Sequence, residues 1–159
     1  MPEVIDSFRD KYRFLSNFYT AEVVFDGARY PSVEHAYQAA KTLNYDERDQ
    51  IRVATTAGIA KKLGRKVTMR KDWEEIKLAV MRDLVWQKFE RHPENARKLL
   101  DTGDATLIEG NWWGDKFWGV CDGEGENHLG KILMNIREDL RHQEAFEEWY
   151  LGSWGREEP

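Results

Sequence analysis

The sequence predicts a mainly α-helical fold with a minor β part. Two segments, 73–89 and 128–140, carry apolar residues at three- and four-residue spacing, and a single segment, 22–30, has the alternation and turn chemistry of a β-hairpin. The chain of 159 residues contains no internal repeat, no low-complexity linker and no composition break, which predicts one domain.

The elements follow in order. Asp26-Gly27 stands between two short alternating runs, the residue pair that a tight hairpin turn favours. Pro31 and Ser32 punctuate the chain, and the Ser32 hydroxyl can cap a helix expected over 33–44. Shorter helices are expected over 47–54 and 56–63, the second stopped by Gly64 as a left-handed terminator. Trp73, Ile76, Val80, Leu84 and Val85 mark one face of a long helix. Pro93 opens a short helix that ends before Gly103. Leu129, Ile132, Leu133, Ile136 and Leu140 define the last helix, with Asn127 as its cap.

Composition narrows the function. With 33% charged residues and no apolar run near the roughly 18 residues of a bilayer span, no contact with a membrane is expected. The opening residues lack the basic and apolar sections of a signal peptide, so a cytoplasmic location is expected. Cys121 is the one cysteine, which excludes an internal disulfide. A net charge of -5 argues against broad binding to a phosphate backbone. A local basic run over 61–71, with Lys61, Lys62, Arg65, Lys66, Arg70 and Lys71, is either a solvated helix end or a phosphate contact.

Neither metal nor cofactor is expected. Four scattered histidines and one cysteine give no ligand spacing. Asp122, Glu124 and Glu126 resemble the start of a calcium loop, yet Leu133 occupies the position of its bidentate glutamate. The stretch GENHLGKI imitates a phosphate loop, but Ile132 stands where a hydroxyl should hold magnesium, and no long apolar strand precedes it.

Two stretches carry candidate chemistry. In YPSVEHAYQAAK, Glu34, Gln38 and Lys41 fall within about 60° of one another on a helix, opposite Ala36, Ala40 and Leu43. On spacing alone the stripe is either a solvated face or the wall of a site, and His35 beside it reads as a core or capping histidine. The segment 107–131 concentrates Trp112, Trp113, Phe117 and Trp118 among glycines, acids and amides. Such a loop either stacks on a flat heterocycle or covers the core.

Taken together, FLSNFY at 14–19, YPSVEHAYQAAK at 30–41, LGRK at 63–66, the Trp73 to Phe89 pattern, LLDTGDATLIEGN at 99–111 and the WGV and DGEGENHLGKILMNIR run at 115–137 resemble the NADAR family, also called YbiA-like. The resemblance spans about 8–140 and leaves a helical tail at 141–159 uncovered. It implies a helical single domain that hydrolyses N-glycosidic bonds, without a cofactor. Known substrates in the family are ADP-ribose on the amino group of guanine and phosphoribosylamino pyrimidines of riboflavin synthesis. The partner it implies is therefore an ADP-ribosyl or phosphoribosyl compound, with contact to a modified nucleic acid as an extension.

Carried onto this sequence, the resemblance implies catalytic roles for Glu34, Lys41, Glu109 and Asp115. It implies substrate binding by Ser16, Asn17, Phe18, Gln38, Trp118, Gly119 and Asn127, and phosphate contact by Arg65 and Lys66. Two routes use these groups: carboxylate-assisted direct hydrolysis, or attack by Lys41 to give a Schiff base. Rival functions from other classes are a nucleic-acid binding module and a sensor that binds ADP-ribose without turnover.

Overall fold

The structure, a computed structural model, describes residues 2–154. In chain order its elements are β1 (Val4–Ile5), a 3-10 turn (Asp10–Leu15), β2 (Thr20–Phe25), β3 (Ala28–Ser32), α1 (Val33–Ala40), α2 (Tyr45–Arg52), α3 (Ala57–Gly64), α4 (Trp73–Glu90), α5 (Pro93–Leu100), β4 (Thr106–Leu107), β5 (Gly110–Asn111), β6 (Val120–Cys121) and α6 (His128–Trp154). Helices dominate and the strands are short, the architecture that the sequence predicts. The elements form two compact units, Ser7–Asn95 and the remainder of the chain, with the division inside α5. Among the described residues no helix is long and apolar enough to cross a membrane.

In the unit Ser7–Asn95, β2 and β3 form the expected hairpin, with Phe25 opposite Ala28. Asp26 and Gly27 both have positive φ, 47° and 78°, as a two-residue turn matched to strand twist requires. Helix α1 is the hub, packed on β2, β3, α2, α3 and α4. Every one of its eight residues is buried. Ala36, Ala39 and Ala40 allow this by offering neighbours almost no side chain to displace.

Burial on all sides obliges the polar groups of α1 to find partners. The Ser32 hydroxyl oxygen accepts the His35 amide at 3.1 Å, the cap the sequence predicts. His35 Nε2 lies 3.0 Å from the Ala54 carbonyl, which can only accept, so Nε2 carries the hydrogen and Nδ1 can accept from Ser32 Oγ at 2.7 Å. His35 is a core histidine.

Three boundaries differ from expectation. Helix α1 stops at Ala40 rather than near Asn44, because the Lys41 carbonyl accepts the Arg70 amide at 2.7 Å and Thr42 bridges to Met69. Asn44 instead caps α2, its side chain accepting from the amides of Asp46 and Glu47. Leu43 consequently leaves the apolar face and is 62% exposed. Gly64 does not terminate α3 in a left-handed conformation. It is the last helical residue, and the chain continues through Arg65 at φ -72°; the reason for a glycine there is space, as described below.

Helix α4 buries Trp73, Met81, Leu84, Val85, Lys88 and Phe89, while Ile76 and Val80 are only half-buried. The buried face thus includes a lysine, which apolar periodicity does not register.

In the other unit, β1 pairs with β4 and β5 with β6, both parallel. Helix α6 begins immediately after Asn127 and buries residues as far as Leu140. Beyond it Phe146, Trp149, Tyr150 and Trp154 are exposed; the last five residues of the expected helical tail lie outside the described residues.

The Trp73 indole is 3% exposed and its ring centre lies 5.1 Å from that of Tyr37 on α1. Trp73→Ala should cost about 3–5 kcal/mol. Chemical denaturation checks this, and a loss below about 1 kcal/mol would remove Trp73 from the core.

Candidate active site

Helix α1 and the turn before β2 assemble one group of predicted residues. Gln38 Nε2 donates to Glu34 Oε1 at 2.7 Å, one helical turn apart, and both side chains are buried. The question left by spacing has an answer: the stripe is not a wet surface. Lys41 follows at the C-terminal end of α1, half-buried, where the helix dipole favours a cation. Its Nζ lies 5.5 Å from the centre of the Tyr37 ring.

Burial pulls the Lys41 pKa below its ordinary value, Glu34 opposes this, and the positive charges of Lys61, Arg65 and Lys77 add to the lowering. Desolvation and like charge both favour the neutral amine, the form that can act as a nucleophile.

Ser16, Asn17 and Phe18 join the same group. The Glu34 amide donates to the Asn17 carbonyl at 3.1 Å, fixing the turn to the start of α1. The Phe18 amide donates to Ser16 Oγ at 3.1 Å, and the exposed Phe18 ring lies 5.8 Å from Lys61 Nζ on α3. Arg65 and Lys66 are exposed just after α3.

Two residues outside the expected set shape this group. A Cβ on Gly64 would stand 1.9 Å from Gln38 Oε1, so only glycine lets the Gln38 amide lie where it reaches Glu34. Lys88, fully buried on α4, donates to the Ser16 carbonyl at 2.7 Å. Its signal in the sequence was position: Lys88 is seven residues after Met81 and four after Leu84, in phase with the apolar face.

The second group lies in the other unit, in the segment expected to form an aromatic loop. Asn111 ties it together: its Nδ2 donates to Glu109 Oε2 at 3.1 Å and to the Asp115 carbonyl at 2.8 Å, while its Oδ1 accepts the Asp115 amide at 3.0 Å. The sequence pattern alone assigns Asn111 no role. Asp115 Oδ1 accepts the amides of Phe117 and Trp118 at 3.1 and 2.9 Å. The Phe117 and Trp118 rings meet edge-on at 4.8 Å. Gly119 is buried beneath Glu109, where a Cβ would come within 1.8 Å of Glu109 Oε2.

Asn127 precedes α6 as expected, and its carbonyl accepts the Lys131 amide at 3.0 Å, while its side chain bonds elsewhere. With φ of 53°, it turns back so that Oδ1 accepts the Glu109 amide at 3.0 Å and Nδ2 donates to the Leu107 carbonyl at 3.0 Å. Trp112 and Trp113 are 77% and 46% exposed, so they do not cover the core. Among the described residues no group of three or more His, Cys, Asp or Glu could hold a metal.

Gly64→Ala should push Gln38 away from Glu34 and lower turnover by about 100-fold while the protein stays folded; steady-state kinetics with a circular dichroism control checks this. Lys41 titration gives a second check. Glu34→Gln removes the charge that holds the Lys41 proton and should move its pKa down, whereas Lys61→Ala should move it up. Amine-reactive labelling of Lys41 across pH measures both, and equal pKa values in all three proteins would contradict the electrostatic account.

Comparison with known proteins places the chain. N-glycosidase YbiA of Escherichia coli (strain K12) is 39% identical over 134 residues, covering 82% of this chain and 83% of that protein. N-glycosidase Npun_R5314 of Nostoc punctiforme is 38% identical over 137 residues, covering 82% and 87%. The Riboflavin biosynthesis protein VVA0006 of Vibrio vulnificus is 38% identical over 140 residues, covering 86% of this chain and 38% of that one. The NMR structure of the E. coli protein YbiA superposes with a TM-score of 0.79 at 36% identity, covering 91% of this chain and 89% of that one. Residues 5–141 match the model of the NADAR domain, and the chain belongs to that family.

Proposed function

We propose that this enzyme removes ADP-ribose from the amino group of guanine by a Schiff-base route through Lys41. The coarser statement, that it is a hydrolase acting on N-glycosyl bonds, follows from its family and from the N-glycosidases it resembles. The observation that carries the Schiff-base route is Lys41 itself, a half-buried amine whose pKa burial lowers, seven residues after a buried glutamate of α1.

The chemistry is as follows. In the substrate, ribose C1 is bonded to an exocyclic nitrogen that still carries a hydrogen, so the sugar ring can open to a C1=N imine. The neutral Lys41 amine adds to C1, and its two protons pass in turn through the Glu34 carboxylate to the exocyclic nitrogen, which leaves as the free amine of guanine while Lys41 keeps a C1=N bond to the sugar. Water then adds to the Lys41 imine, and release of the sugar restores the amine. Gln38 holds Glu34 in position for this exchange.

The remaining residues have proposed roles of their own. Ser16, Asn17 and Phe18 bind substrate, and Arg65 and Lys66 contact phosphate. Glu109 is a second acid–base group. Asp115, whose Oδ1 already accepts two backbone amides, shapes the loop that presents Trp118 for stacking on a base. Gly119 and Asn127 hold Glu109 in place.

A second reading, hydrolysis of phosphoribosylamino pyrimidines, is favoured by the relative named a riboflavin biosynthesis protein. Incubating the protein separately with guanine-ADP-ribosylated oligonucleotide and with the phosphoribosylamino pyrimidine, and measuring released sugar, decides between them. Borohydride added during turnover should trap a sugar adduct on Lys41, located by mass spectrometry. Lys41→Ala and Lys41→Arg should lose the adduct and lower turnover by at least about 1,000-fold. Full activity in either variant would falsify the Schiff-base route, and binding of ADP-ribose without turnover would support the sensor instead.

A further inference from the structure

Two buried basic residues in the unit Ser7–Asn95 have no part in the proposed chemistry: Arg48, which bonds Asp26 and the Thr42 carbonyl, and Lys88, which has no carboxylate beside it. Its side chain has no exposed surface, so it does not touch a substrate. Its oxygen partner is the Ser16 carbonyl, at 2.7 Å, and its nearest aromatic neighbours are the rings of Phe89 and Tyr19, 5.5 and 5.8 Å from Nζ.

This is an expensive way to fill space. Burial alone pulls the amine down from its ordinary value to about 7, because the surroundings replace water poorly. A methionine of similar volume would fill the site without that penalty. The Ser16 carbonyl does not need the lysine for its own satisfaction, because it also accepts the Tyr19 amide at 3.1 Å. What the lysine adds is direction. It pulls the Ser16 carbonyl toward α4, and two turns of helix earlier on the same face Met81 Sδ receives the Asn17 side-chain amide at 3.5 Å. The Asn17 carbonyl in turn holds the Glu34 amide. Through these bonds α4 sets the path of 16–18, and 16–18 sets the entry of α1.

We propose that Lys88 is a positioning residue that holds the substrate-binding turn Ser16, Asn17 and Phe18 against the start of α1. This rests on the N-glycosidase reading for its kinetic consequence, but not for its structural one. Lys88 gives up stability in exchange for the placement of that turn, a trade common at functional sites.

The test uses Lys88→Met and Lys88→Leu in the full chain, with three measurements. The denaturation midpoint should be unchanged or higher. Hydrogen exchange at the Tyr19 and Glu34 amides should accelerate at least about 10-fold, while amides in the middle of α4 keep their protection. With whichever substrate the wild type hydrolyses, KM should rise at least about 10-fold and kcat should change less than about 3-fold. Unchanged exchange at both amides overturns the proposal, as does a fall in kcat at constant KM. Failure of both variants to fold would make the amine part of the core and would likewise overturn it. If the wild type hydrolyses neither substrate, the functional reading fails, and the exchange measurement still decides the role of Lys88.

Discussion

Burial of a short helix that carries polar side chains is the constraint on which the unit Ser7–Asn95 depends. Helix α1 supplies three alanines so that five other elements can close around it, and it carries Glu34, His35 and Gln38 into the same interior. Each of those groups then dictates something elsewhere. His35 needs the Ala54 carbonyl, Gln38 needs a glycine on α3, and Glu34 needs its amide accepted by the turn at Asn17. The alternative, leaving them unpaired, costs on the order of 1–3 kcal/mol for each group.

That accounting does not close everywhere. Asn17 Oδ1 and Gln38 Oε1 are buried without a hydrogen-bond partner. Both belong to residues of the candidate site, not to the scaffold around it. Imperfect satisfaction concentrated at such residues is the pattern of a region selected for chemistry at some expense in stability.

How much of this could be read from sequence depended on the range of each interaction. The hairpin, the Ser32 cap and the long helices were legible because their causes are local: turn residues, a hydroxyl three positions from an amide, and apolar spacing. Gly64 reads as a helix stop, and α3 does end there, but the volume it leaves for Gln38 is a reason that only the fold supplies. Asn127 was placed correctly before α6, yet its partners are 18 and 20 residues away, and only the fold brings them together. Nothing local marks Lys88 as buried, because a lysine in a helix is ordinarily solvated. The grouping of Glu34, Gln38 and Lys41 was visible in helical geometry, but that the whole helix is enclosed was not.

The segment between Glu109 and Asn127 has a further consequence. Asn111, Asp115 and Asn127 hydrogen-bond it to itself and to Leu107 within one unit. For the stacking role proposed for this stretch, the conformational entropy of ordering it is therefore lost once, when the chain folds, and not at each encounter with a ligand. An ordered loop raises affinity without any added contact, and it spares association the wait for a segment to fold.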